Sequence, residues 1–173
     1  SSSGNLLING AMQVSQRSAV GTAVTGITAS GYYTADRWQT QTNKTLAVSQ
    51  QTFTPGTAPV AGYESAFFLR QTYSADGSYG ALQSKLEDVR LFAGQTITFS
   101  YWAKADATFS NTPSVSQNFG SGGSGAVTVS STASITTSWA RYSATLNVPS
   151  ISGKTIGTGS SLQVYINQST PVN

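Results

Sequence analysis

The stretch QTITFSYWAKA (Gln95 to Ala105) alternates without a break. Ile97, Phe99, Tyr101 and Ala103 fall on one side, and Thr98, Ser100, Trp102 and Lys104 on the other. Successive side chains of an extended chain leave on opposite faces, so period two with one apolar face predicts a half-buried strand. SWARYSATLNV repeats the pattern, with Ala140, Tyr142, Ala144, Leu146 and Val148 against Trp139, Arg141, Ser143 and Thr145. SLQVYIN does so again, with Leu162, Val164 and Ile166 inward and Gln163 and Tyr165 outward.

Shorter extended segments fill the rest of the chain, punctuated by Gly, Pro, Ser and Asn. NLLIN (Asn5 to Asn9) reads as a first strand. DRWQTQT and LAVSQQTFT read as two strands joined around Asn43-Lys44. ESAFFLRQTY (Glu64 to Tyr73) is the most apolar strand and ends at the turn signal SADGS. YGALQSKLED follows, with Leu82 and Leu86 on one face and Gln83 and Lys85 on the other; PSVSQNFG is a shorter strand. LEDVRLFAG has room for one helical turn, and no segment supports a long helix. Nine or ten strands without crossover helices predict antiparallel pairing in an all-β, two-sheet β-sandwich, a jelly roll.

Composition agrees and narrows the chemistry. Only 9% of the 173 residues are charged, and Ser and Thr stand where a helical surface would carry Lys and Glu. The length suits one domain, residues 1–173, within a longer chain. The net charge of +3 comes without any Lys/Arg run, so no nucleic-acid partner is expected. There is no Cys and no His, which removes thiolate chemistry and the commonest general base and zinc ligand. No apolar run reaches the length of a membrane span, so no membrane insertion is expected.

The six carboxylates are Asp36, Glu64, Asp76, Glu87, Asp88 and Asp106. Glycoside hydrolysis needs a facing pair. Asp76 belongs to an Asp-Gly turn, and Glu87 and Asp88 form a local cluster near Arg90, so the chain is expected to be non-catalytic. GSGGSG (Gly120 to Gly125) lacks the Lys-Ser/Thr of a phosphate loop and reads as a flexible hairpin tip. A structural calcium ion would fit a jelly roll, but the acidic residues are too sparse to name ligands. No cofactor or metal is assigned.

The phrases NLLINGAMQVSQRS, YYTADRWQ, FFLRQ, LFAGQTITFSYWAKAD, SQNFGSGG and TTSWARYSATLNVPSISGKTIG occur in an order and spacing that carry a resemblance. From about Asn5 to about Asn167 the chain resembles the jelly-roll domains related to carbohydrate-binding modules of families 4 and 9. More narrowly, it resembles those of bacteriophage tail-fibre and other virion structural proteins. Such domains run on after the strand matching SLQVYIN to a closing strand, which is expected beyond Asn173 or from a neighbouring chain.

The resemblance implies a non-catalytic virion module, in a tail fibre or capsid appendage, for assembly or for attachment to a host-surface glycan. Its partners would be other virion proteins and that glycan, and a trimer or other symmetric oligomer is compatible with this. A carbohydrate-binding module of a secreted bacterial polysaccharide-degrading enzyme and a purely structural capsid decoration domain are the alternatives. Sugars present apolar C–H faces ringed by hydroxyls, which suits aromatic stacking with polar neighbours. Trp102 is the leading stacking candidate, with a core position as the alternative if both faces of its strand are covered. Arg70, Gln117, Gln163 and Tyr165 are candidates for the same face, or else part of a mixed, solvated sheet surface. YYTADRWQTQT (Tyr32 to Thr42) reads as a strand start in which the neighbours Asp36 and Arg37 point to opposite faces, so each needs a partner elsewhere.

Overall fold

The structure is a computed structural model and describes residues 12, 15–43, 45–57, 59, 66–73 and 80–168. Among these residues the chain is all-β, with twelve strands and no helix. NLLIN, Glu64 and Asp76 lie outside the described residues. Backbone contacts divide the chain into two compact units, Ser1–Gly80 with Asn173, and Ala81–Val172.

The first unit contains β1 (Val24–Ile27), β2 (Trp38–Thr42), β3 (Leu46–Thr52) and β4 (Phe67–Tyr73). β3 is central in an antiparallel sheet of order β1-β3-β4, and its seven residues pair in register from Leu46↔Tyr73 to Thr52↔Phe67. Ile27, Leu46 and Val48 are buried, with Val24, Tyr33 and Leu69 packed on them. Each such Leu or Val contributes about 1.5–3 kcal/mol by leaving water.

Two readings of this region change. β2 does not pair with β3, so the two strands do not form a hairpin. Alternation defines a strand but not its partner, and the partners of β3 lie on either side of it in sequence. Asp36 and Arg37 precede β2 in a turn closed by the Trp38 N–H on the Ala35 carbonyl at 3.3 Å, with Arg37 at φ 71. They are not strand residues. Asp36 does find partners elsewhere: its Oδ1 accepts the Gln16 N–H at 3.2 Å and Arg17 Nη1 at 3.4 Å. The Arg17 guanidinium lies over the Tyr32 ring at 5.7 Å. The cluster thus fastens segment 15–18 onto the turn ahead of β2.

The second unit carries β5 (Gly80–Leu86), β6 (Thr96–Ala103), β7 (Phe109–Asn111), β8 (Ser114–Asn118), β9 (Val127–Ser130), β10 (Ala133–Ile135), β11 (Ala140–Asn147) and β12 (Ser161–Gln168). One layer has the order β10-β7-β12-β5, with β8 pairing both β12 and β9. The other is the antiparallel pair β6 and β11, and β11 packs on β8 and β9. Two antiparallel layers of this kind are consistent with a β-sandwich. Pairing places Val115 opposite both Val164 and Val129, so all three share one face. Val115, Leu162, Val164, Ala144 and Leu146 are buried together with Phe119, Val148 and Ile135.

Residues 88–95 form no helical turn but a run of i→i+3 turns. Leu91, Ala93 and Gln95 donate to the carbonyls of Asp88, Arg90 and Phe92. The glycine-rich segment does lie between β8 and β9 as expected, but it does not hang free. Ser121 and Thr158 exchange backbone bonds at 2.9 and 3.0 Å, Gly157 donates to the Phe119 carbonyl at 2.6 Å, and Ser124 donates to the Thr155 carbonyl at 2.9 Å. Two loops meet here backbone to backbone, which only glycine permits: a Cβ on Gly157 would overlap the Ser121 carbonyl, and Gly120 sits at φ 80 against Thr158.

Two phenols tie this unit together. Tyr101 Oη accepts from Asn111 Nδ2 at 2.9 Å, and the Tyr165 hydroxyl donates to Gln163 Oε1 at 2.6 Å. Burial raises both above the ordinary phenol range; for Tyr101 the Asn111 bond offsets part of this and the neighbouring Tyr142 adds to it. A raised phenol means the fold favours the neutral form. That contribution is fully present below the unfolded phenol value, about pH 10, and is lost as pH rises through the folded one. Unfolding free energy followed by urea titration is therefore expected to fall above about pH 10. The double variant Tyr101→Phe/Tyr165→Phe should show a shallower alkaline fall from a lower neutral-pH starting value.

Candidate glycan-binding face

β6 and β11 pair over all eight residues without a register shift, from Ala140↔Ala103 to Asn147↔Thr96. β-branched and aromatic residues dominate β6, as suits a pleated surface. On the inner face Phe99, Tyr101 and Tyr142 stack in a row, with centroids 6.3 and 5.8 Å apart. One end of the ladder is closed by Val148 donating to the Gln95 carbonyl at 2.9 Å, and the other by Ala105 donating to the Thr136 carbonyl at 2.9 Å. An inner aromatic row and two tied ends hold the outer face in place.

That outer face is a ladder of cross-strand pairs: Thr96 with Asn147, Thr98 with Thr145, Ser100 with Ser143, and Trp102 with Arg141. All eight are exposed. Thr96 Oγ1 donates to Asn147 Oδ1 at 2.7 Å, and the Thr98 and Thr145 hydroxyls share a hydrogen bond at 2.9 Å. Arg141 Nη2 donates diagonally to Ser100 Oγ at 2.9 Å. Trp102 is 42% exposed, one of the few large apolar side chains to be so. Beyond it, Lys104 Nζ lies 5.7 Å from the centre of the Trp139 ring. At about 3.4 Å per residue the face runs roughly 27 Å, from rows of small hydroxyls to an end rich in indole and positive charge.

Trp102 therefore stands where the alternation puts it, beside Ser100 and Lys104. The other candidates are placed differently. Arg70 is on β4 in the first unit, exposed, with its guanidinium over the Phe68 ring at 5.6 Å. Gln117 is 1% exposed, lies opposite Leu162 on the apolar face, and donates to the Pro149 carbonyl at 2.8 Å. Gln163 is 6% exposed; it donates to Ser161 Oγ at 3.1 Å and accepts from Tyr165. Gln163 pairs with Ser116 and Tyr165 with Ser114, so both lie on the reverse of the sheet from Gln117. The outward reading of Gln163 is corrected for a physical reason: it is buried on a strand flanked by neighbours on both sides, and its amide is bonded to Ser161 and Tyr165 within the fold.

Arg141, Ser143, Thr145 and Asn147 complete the face and were not singled out by the sequence. Their signal was present in the alternation of SWARYSATLNV, but its pairing with QTITFSYWAKA joins residues some forty positions apart. Elsewhere, Lys85, Glu87, Asp88 and residues 159–161 line an open polar depression of about 430 Å³. Asp88 there is engaged by Arg90, through its backbone N–H at 2.7 Å and Nη1 at 2.6 Å. The backbone bond and the guanidinium hold the carboxyl below the usual carboxylate range. Among the described residues no three His, Cys, Asp or Glu side chains converge as a metal group. Comparison with family models, with curated proteins and with solved structures returned no match.

Proposed function

We propose that this chain is a non-catalytic jelly-roll module that presents the outer face of β6 and β11 to a glycan, as part of a virion tail fibre or appendage that attaches to a host surface. The observation that carries the glycan reading is Trp102. A large indole stands in the open at one end of a sheet face, opposite a guanidinium and next to rows of six hydroxyl or amide side chains. Exposed aromatics are costly to leave in water, and a sugar's C–H face covers an indole while its rim hydroxyls bond the neighbours. The virion setting follows from the ordered sequence phrases and their resemblance.

A glycan-array screen of the chain, run beside its mass in solution, tests the reading. Wild type is expected to bind a defined subset of glycans, and Trp102→Ala to lose at least about tenfold in affinity. Unfolding of Trp102→Ala should stay within about 1 kcal/mol of wild type, because the side chain lies on the exposed outer face of the sheet. Failure to bind any glycan together with tight assembly onto virions would replace the reading with a decoration role.

A further inference from the structure

We infer that the face takes an acidic saccharide, a sugar bearing a carboxylate, sulfate or phosphate, with a pyranose ring on Trp102 and the oxyanion between Arg141 and Lys104. This rests on the glycan reading of the same face and adds the charge of the ligand.

The inference comes from how charge is distributed. Trp102 and Arg141 are directly paired across the strands. Lys104, just past the end of β6, has its Nζ 5.7 Å from the centre of the Trp139 ring, and Trp139 lies just ahead of β11. Two indoles and two cations thus gather at this end of the ladder. Neither β6 nor β11 contains a carboxylate. The nearest in sequence, Asp106, sits in the exposed loop beyond Lys104, and the ion pairs found among the described residues are Arg17 with Asp36 and Arg90 with Asp88. Arg141 spends one N–H on Ser100, and the remaining edge of its planar fork matches an oxyanion. In a chain with only nine cations and six acids, two cations flank the one exposed indole with no acid on the face to neutralise them. A neutral sugar would use the indole and hydroxyl rows and leave both charges idle; an acidic one uses all of them.

The test is an array carrying matched acidic and neutral glycans: uronate-containing, sialylated, sulfated and phosphorylated sugars beside their neutral parents. Acidic members are expected to fill the bound set, with affinity falling as salt is raised from 50 to 500 mM. Arg141→Gln/Lys104→Gln should lose at least about tenfold on those hits. A charge-matched control, Lys85→Gln/Lys154→Gln, removes two exposed cations elsewhere and should retain them, which separates a site from the effect of net charge. Neutral glycans bound as well as their acidic partners, or equal losses in the two double variants, would overturn the inference and leave the glycan reading standing. No binding by wild type to either class would overturn both.

Discussion

Phe119→Ala is expected to lower the unfolding free energy by about 3–5 kcal/mol. Phe119 is the largest fully buried side chain described, 1% exposed, and sits just past the end of β8, where the chain turns into Gly120. Truncation removes a ring from the core and leaves a cavity that the backbone cannot close. The Phe119 carbonyl is held by Gly157 and the next residues by Thr158, so the lining has little freedom to collapse. Urea denaturation should show a lower midpoint with an unchanged slope. Against a typical total of about 5–15 kcal/mol, the variant would stand near the limit of folding. A loss under about 1 kcal/mol would mean that the ring does not fill the core as described.

Gly157→Ala is expected to cost about 2–4 kcal/mol through an opposite mechanism, overfilling rather than emptying. Its added methyl would overlap the Ser121 carbonyl and crowd the Gly123 amide. Since both neighbours are backbone, no side chain can rotate away and the loops must part. Parting exposes or strands the exchanged bonds of Ser121 and Thr158 and the Gly157 bond to Phe119. Gly125→Ala is the matched control, since a Cβ there meets nothing, and it should fall within about 0.5 kcal/mol of wild type. Hydrogen exchange at the Ser121 and Thr158 amides should accelerate in Gly157→Ala alone. Protection unchanged in that variant would contradict the lacing of the two loops.

What the sequence disclosed depended on whether each strand had one wet face. β6 and β11 do, and their alternation sorts the two faces as the structure does, while leaving open whether the face that carries Trp102 is covered. β5, β8 and β12 do not. Gln83, Gln117 and Gln163 are buried, although Gln83 and Gln163 alternate with apolar residues in the way an outward residue would; Gln117 is in phase with Val115 and Phe119. Period two reports which residues share a face, and it is silent on what covers that face. β7 and β10 have three residues each, too few for any period to register. The turn at Asp36 and Arg37 was read as strand because a residue at φ 71 has no compositional signature when it is not glycine. The candidate site was half legible for a further reason: one strand named the indole, but the guanidinium beside it is set by a register between distant segments.

The exchanged hydroxyl bonds on the outer ladder have one more implication. Thr96 bonds to Asn147, Thr98 to Thr145 and Ser100 to Arg141 across the surface, with Ser143 beside them, while backbone pairing and the half-buried inner aromatic row fix the strands. The six positions can therefore be rewritten without disturbing what holds the sheet together. Under the proposed function, recognition and folding draw on separate residues, so a lineage could change the surface recognised by point substitution at constant stability. The same separation would make these six positions a combinatorial library for redirecting that recognition.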